Sequence, residues 1–276
     1  MNNLFSILII SSIISFISCT KDADVKLPAV EPKLVISSFI SPQDSIVKVE
    51  VTMSQPLYNN SNAGQFSAVS NATVQINDGT ITQTLAYDST GNYYFVNTSL
   101  FPITVGTIYY LTVLTPDGKN INASTTVPTL NSTLTYTSHQ ITDPYGSEKY
   151  VIETSWNDTP DTEDYYRIAF YNKDYYPGDI DTTYWALLSE NFSDKGKDGG
   201  AFNQNSEIYT YSSTGTVEGE LYLIHASKEY YLFHSKLLDA AYSGSPFSEP
   251  VQMYSNINGG YGVFAGYNSY KLLVSL

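Results

Sequence analysis

Cysteine occurs once in the 276 residues, at Cys19, and arginine once, at Arg167. A single cysteine excludes an intramolecular disulfide and any zinc site built on several thiolates. The three histidines, His139, His225 and His234, form no HExxH motif, and GxSxG is missing as well. The SxxK match at Ser45 to Lys48 stands without the further motifs that its chemistry needs. Positive charge is scarce: 13 lysines and arginines face 27 acids, for a net charge of -14. Such a surface repels nucleic acid, whose affinity comes from lysine and arginine neutralising phosphates. It also disfavours adsorption to bare anionic lipid. Charged residues make up 14% of the chain and hydrophobic residues 42%, too little charge and too much apolar surface for a disordered protein. The length suits two modest domains.

A long hydrophobic run is also lacking. The one apolar stretch, "LFSILIISSIISFI" at 4–17, falls short of the roughly 20 residues of a bilayer span and has the length of a signal-peptide core. Cys19 follows immediately, in "SCT". Phe16, Ile17 and Ser18 before it resemble a bacterial lipoprotein signal, in which the cysteine is acylated and becomes the mature N-terminus. Residues 1–18 are therefore expected to be a signal peptide and 19–32, with two prolines and no hydrophobic period, a lipidated tether. Each buried methylene of an acyl chain contributes about 0.8 kcal/mol, so a multiply acylated cysteine holds firmly.

From Lys33 the pattern becomes short alternating runs rich in valine, isoleucine, threonine and tyrosine: "KLVISSFI", "SIVKVEVTM", "TVQIND", "YYFVN", "IYYLTVLTPDG". Broken by "NDG", "STGN" and "TPDG", they predict antiparallel strands and tight turns. The expected fold is mainly β: an immunoglobulin-like β-sandwich over 33–128 and a second β-sandwich-like domain over 129–276. One amphipathic helix is expected in the second, near 227–243. Tyr230, Phe233, Leu237 and Ala241 mark its buried face, Ser227 caps its start, and Gly244 with Pro246 ends it.

Two stretches offer candidate ligand groups. "NDTPDTED" crowds Asp158, Asp161, Glu163 and Asp164 into one loop, a set of oxygen donors for calcium that lacks the regular spacing and glycine of an EF-hand. The long glycine-rich stretch from Tyr175 to Tyr211 is flanked by Tyr175, Tyr176, Tyr184 and Trp185, aromatic residues able to stack on a ligand or a partner. The 25 tyrosines are spread over the whole chain, however, so abundance alone accounts for these four. His225 and His234 lie near the helix, where two satisfied structural histidines are the plainer reading.

"GGYGVFAGY" at 259–267 carries Gly260, Gly262 and Ala265 at the spacing of a dinucleotide-binding loop. That loop requires a helix directly after the glycines and an acidic residue about twenty positions later. Ten residues follow Gly266, none of them acidic, and "YKLLVSL" is strand-like. The stretch is expected to be a strand whose glycines admit a neighbouring backbone. No cofactor and no catalytic residue are expected.

Cys19, "LPAVEPKLVISSFI", the "DYYRI" strand and above all "GSPFSEPVQMYSNINGGYGVFAGY" resemble the domain-of-unknown-function 4249 lipoproteins of Bacteroidota, over nearly the whole mature chain. Thr20, Lys21 and Asp22 are similar to the lysine-acid signal that exports some of these lipoproteins to the outer face of the outer membrane. The resemblance implies no catalytic residues. It implies a setting: an outer-membrane lipoprotein, encoded beside TonB-dependent receptors, held in lipid through Cys19 and facing the periplasm or the cell surface. The expected function is non-enzymatic, as an accessory or ligand-binding partner of such a transport system. A surface glycan hydrolase with an acidic pair between Tyr175 and Tyr211, or an adhesin or structural surface protein, are the alternatives.

Overall fold

The computed structural model describes residues 31–55, 66–146, 148–174, 183–209, 218–242 and 251–276. Strict alternation of buried and exposed side chains builds its first strands. In β1 (Leu34–Ile40) residues Leu34, Ile36 and Ile40 point inward, as do Val47, Val49 and Val51 of β2 (Ile46–Met53). There follow β3 (Thr73–Asn77), β4 (Thr82–Thr84), β5 (Ala86–Asp88) and β6 (Tyr93–Asn97). In β7 (Ile108–Leu114) and β8 (Asn120–Thr126) every second residue is buried and the others are exposed, the pattern of a sheet with one dry face. Asp78, Asp88 and Asp117 sit in the expected turns, where Asp78 accepts hydrogen bonds from the Thr80 and Ile81 amides and Asp88 from that of Thr90. The remaining strands are β9 (Thr135–Thr142), β10 (Glu148–Asn157), β11 (Tyr165–Asp174), β12 (Thr183–Ser193), β13 (Ala201–Tyr209), β14 (Glu218–Ala226) and β15 (Tyr261–Ser275).

These strands form three sheets: an eight-stranded one ordered β12-β11-β14-β15-β1-β2-β6-β5, a four-stranded β4-β3-β7-β8 and a three-stranded β13-β10-β9. The fold is mainly β and sandwich-like, as expected. One core lies between the β1, β2 and β6 part of the large sheet and the four-stranded sheet, with Ile36, Val49, Val74, Leu111 and Ile121. A second lies between β11, β14 and the three-stranded sheet, with Trp156, Tyr166, Ile168, Phe202 and Leu223. From Pro32 to Leu276 the chain is one compact unit.

β15 carries the expected halves 33–128 and 129–276 in one sheet. Its first part pairs in parallel with β1, from Val35 with Tyr261 to Ile40 with Gly266. Its second part, Tyr267 to Ser275, pairs antiparallel with β14 on the other edge. The two halves are therefore offset along a strand that, at about 3.3 Å per residue, runs roughly 46 Å. Its side chains serve every core: Phe264 the first, Val274 the second, and Val263 and Ala265 a third cluster beneath the helix.

That helix, α1 (Lys228–Tyr242), lies where the sequence placed it. The Tyr230 amide donates to Ser227 Oγ at 3.3 Å, an N-cap contact. Tyr230, Phe233 and His234 close on Phe39 with ring centroids 5.2–5.9 Å apart. Leu237, expected on the buried face, is instead 48% exposed. The contact with the sheet is filled by the rings of the first two turns.

The "GGYGVFAGY" stretch is the start of β15 with the turn before it. Gly262 has φ +105°, and a Cβ there would lie 1.9 Å from the Ile36 carbonyl oxygen. The glycine admits the close approach of the Ile36 backbone. Just upstream, the Asn256 side chain acts as a short strand: its Oδ1 accepts the Phe264 amide at 3.0 Å, and its Nδ2 donates to the Phe264 carbonyl at 2.8 Å and the Ser124 carbonyl at 3.2 Å.

Candidate functional site

The end of β10 and the beginning of β11 bring the "NDTPDTED" loop against the turn after β12, "DKGKDGG" at 194–200. The Asp158 amide donates to the Gly200 carbonyl, and Asp158 accepts from Tyr166 Oη on Oδ1 at 2.8 Å and from the Gly199 amide on Oδ2 at 2.9 Å. Asp194 Oδ2 accepts the Asp164 amide at 2.8 Å, and Asp198 Oδ1 accepts the Asp161 amide at 2.9 Å. One oxygen each of Asp158, Asp194 and Asp198 lies within 4.8 Å of the others. Asp158 and Asp194 are buried and Asp198 is exposed. Burial raises the Asp194 carboxyl above its ordinary range, and the charges of Asp158, Asp164 and Asp198 add to the effect.

A hard cation such as calcium takes about six to eight oxygen ligands, so these three carboxylates would supply part of a shell. Of the residues expected to hold it, only Asp158 belongs to the group. Asp161 contributes its amide, not its carboxylate. Glu163 is exposed and pairs with Lys228 Nζ at 3.3 Å while accepting Tyr165 Oη at 2.6 Å. Asp164 is turned away into a buried pair. The sequence carries one signal for Asp194 and Asp198, two aspartates flanking Gly196 in "DKGKDGG". Only tertiary contact places that turn beside Asp158.

The buried pair is Asp164 with His225, each only 6% and 5% exposed. His225 Nδ1 lies 2.6 Å from the Thr129 carbonyl and Nε2 lies 2.9 Å from Asp164 Oδ1. A carbonyl oxygen only accepts, so the contact with Thr129 is donated by Nδ1 and the Asp164 carboxyl is left to Nε2. The ring stacks on Tyr166 at 4.9 Å. Thr162 Oγ1 donates to the other Asp164 oxygen at 2.8 Å. The pair thus locks the connection after β8 to β14 and to the acidic loop.

The two histidines near the helix do not share a site. His225 faces the Tyr166 side of the sheet, whereas His234 stacks on Tyr230 at 4.0 Å on the helix side and donates from Nδ1 to the Tyr230 carbonyl. Burial, aided by Arg167, lowers His234 to about 4. Tyr175 and Tyr176 lie outside the described residues, as does Cys19. Tyr184 and Trp185 fall on β12, in register with Lys173 and Asn172 of β11.

Beside the carboxylates opens a cleft of about 670 Å³, with Glu163, Asp194, Lys195, Asp198 and the tyrosines Tyr165 and Tyr231 in its lining. The two rings are 4.7 Å apart. A smaller cleft of about 330 Å³ lies over β1 and β2, with Ser37, Asp44, Lys48 and Tyr267.

Among the described residues, these features define a β-sandwich-like protein with one helix and a carboxylate cluster held between two loops. The chain belongs to the DUF4249 family, a domain of unknown function, whose model matches residues 20–272. No curated protein matches it. Among solved structures, a chain described as a cytokine receptor complex, crystal form 1A, is similar at 12% identity, covering 87% of this chain and 94% of that one, with a TM-score of 0.27. A likeness that slight says nothing about function.

Proposed function

We propose that this protein is an outer-membrane lipoprotein, acylated at Cys19, that acts without catalysis as an accessory or ligand-binding partner of a TonB-dependent transport system. The observation that carries the reading is positional. The chain's only cysteine directly follows its only signal-like apolar run, and the compact unit begins at Pro32, which leaves a short tether between lipid and fold. The resemblance to Bacteroidota lipoproteins encoded beside TonB-dependent receptors supports the choice of partner. Metabolic labelling with a palmitate analogue is expected to mark the wild-type protein and not Cys19→Ser. Co-purification after mild detergent extraction is expected to recover a transporter; its absence at native expression would refute the partnership. Protease shaving of intact cells reads which face of the membrane the body occupies.

The hydrolase reading draws on one specific observation, the Asp194 carboxyl held above its ordinary range beside other carboxylates, as an acid partner in glycoside cleavage requires. Release of sugar from a polysaccharide panel, abolished by Asp194→Asn, would favour it over the binding role.

A further inference from the structure

The tether enters the fold at one end of the long strand β15. Lys33 precedes β1, whose Val35 is in register with Tyr261, the first residue of β15. The same end gathers the close of β2, where the Met53 amide donates to the Ser67 carbonyl and the Ser54 amide to the Lys33 carbonyl. It also holds the β7–β8 turn, where Leu114 is opposite Asn120 and Asn122 bridges to Asn258 just ahead of β15. β11, β12 and β14 have their ends at Asp174, Thr183 and Glu218 beside Ser275, at the other extremity of β15.

The near end carries exposed apolar and cationic side chains together. Phe66 is 65% exposed, Leu114 47% and Tyr261 44%. Lys33 Nζ stands 5.0 Å from the Tyr261 ring, and Lys119 projects from the turn in a pair with Asp117. An aromatic ring with a lysine over it, as Tyr261 has in Lys33, suits the headgroup layer, where an apolar body and a polar tip are both satisfied. Reach points the same way. The residues 20–32 between Cys19 and Lys33 span at most about 45 Å when fully extended. That is close to the length of β15 itself, so laying the far end on lipid would use the whole tether.

We infer that the end bearing Lys33, Phe66, Leu114, Lys119 and Tyr261 rests on the bilayer surface, and that β15 carries the second half of the protein away from it. The inference rests on acylation of Cys19. The test supplies the anchor independently: the mature chain is coupled through its single thiol to maleimide lipid in phosphatidylethanolamine and phosphatidylglycerol vesicles. Hydrogen exchange is then compared with the same chain capped by a small maleimide. Exchange is expected to slow several-fold around residues 66–68 and 114–120 and to stay unchanged at 98–106 and 218–222. The combined variant Phe66→Ser, Leu114→Ser, Tyr261→Ser changes exposed positions only. It should lose the protection while melting as the parent does. Equal exchange in both forms, protection at 98–106 or 218–222 instead, or protection that survives the triple change overturns the inference. None of these outcomes bears on acylation, which the palmitate label reads alone.

Discussion

At Gly262 a β-carbon would collide with the Ile36 carbonyl oxygen at 1.9 Å, in a backbone whose φ of +105° side chains rarely adopt. Gly262→Ala should therefore cost at least about 3 kcal/mol, since strain and the broken β1–β15 pairing act together. Gly79 is the control, with φ +94° and open space around it, and its alanine variant should cost about 1 kcal/mol. Urea unfolding of both decides: equal costs would show that φ alone matters. His234 makes a second prediction at this scale. Its ring is lowered to about 4 from 6.5, chiefly by burial. The unfolded chain then takes up a proton that the folded one refuses, so His234 contributes stability above pH 6.5 that is lost as pH falls towards about 4. Wild-type midpoints should drop across that window more steeply than those of His234→Gln. The residue scale is only partly legible in sequence: the acidic run "NDTPDTED" marks Asp158, but its partners Asp194 and Asp198 stand in another loop.

The helix was the most legible element, because its cap and its apolar period are local; Gly244 and Pro246, expected to end it, lie outside the described residues. Ser227 and the span Lys228–Tyr242 came within a residue or two of expectation. What local pattern does not report is what lies underneath, and Leu237, in phase with Tyr230, is exposed for that reason. The strands β7 and β8 were equally plain in their alternation, whereas the segment before β15 was not. Asn256 stands outside any strand, and its side-chain amide satisfies both polar groups of Phe264. Asn256→Ala should cost about 1–3 kcal/mol, the usual effect of stranding buried backbone groups. The exposed pair of Asn258 Nδ2 with Asn122 Oδ1 is a fitting comparison: Asn258→Ala should fall within about 0.5 kcal/mol of wild type. Similar losses in the two variants would remove the special role given to Asn256.

At the scale of the whole molecule, the two expected halves share β15. The first core includes Ile257 and Phe264 from the far end of the chain, and β1 has β15 as its parallel neighbour. A fragment of 33–128 alone would leave β1 with an unpaired edge and a gap where Phe264 packs, which is a large-to-small core deletion and an exposed strand edge at once. It should give no cooperative thermal transition, and adding a peptide of residues 251–276 should not fully restore one, because the second part of β15 also needs β14. A cooperative, soluble 33–128 fragment would show instead that the first sandwich is autonomous.

The sequence by itself determined the strand-rich class, the turns, the helix with its cap, and the short apolar run ahead of a lone cysteine, since each is written in neighbours a few residues apart. Tertiary structure alone decided that the last strand runs beside the first, that Asp158 meets Asp194 and Asp198, and that His225 bridges Thr129 and Asp164. Such meetings follow from which apolar faces find each other when buried, and burial is a property of the assembled sheets that no local spacing records.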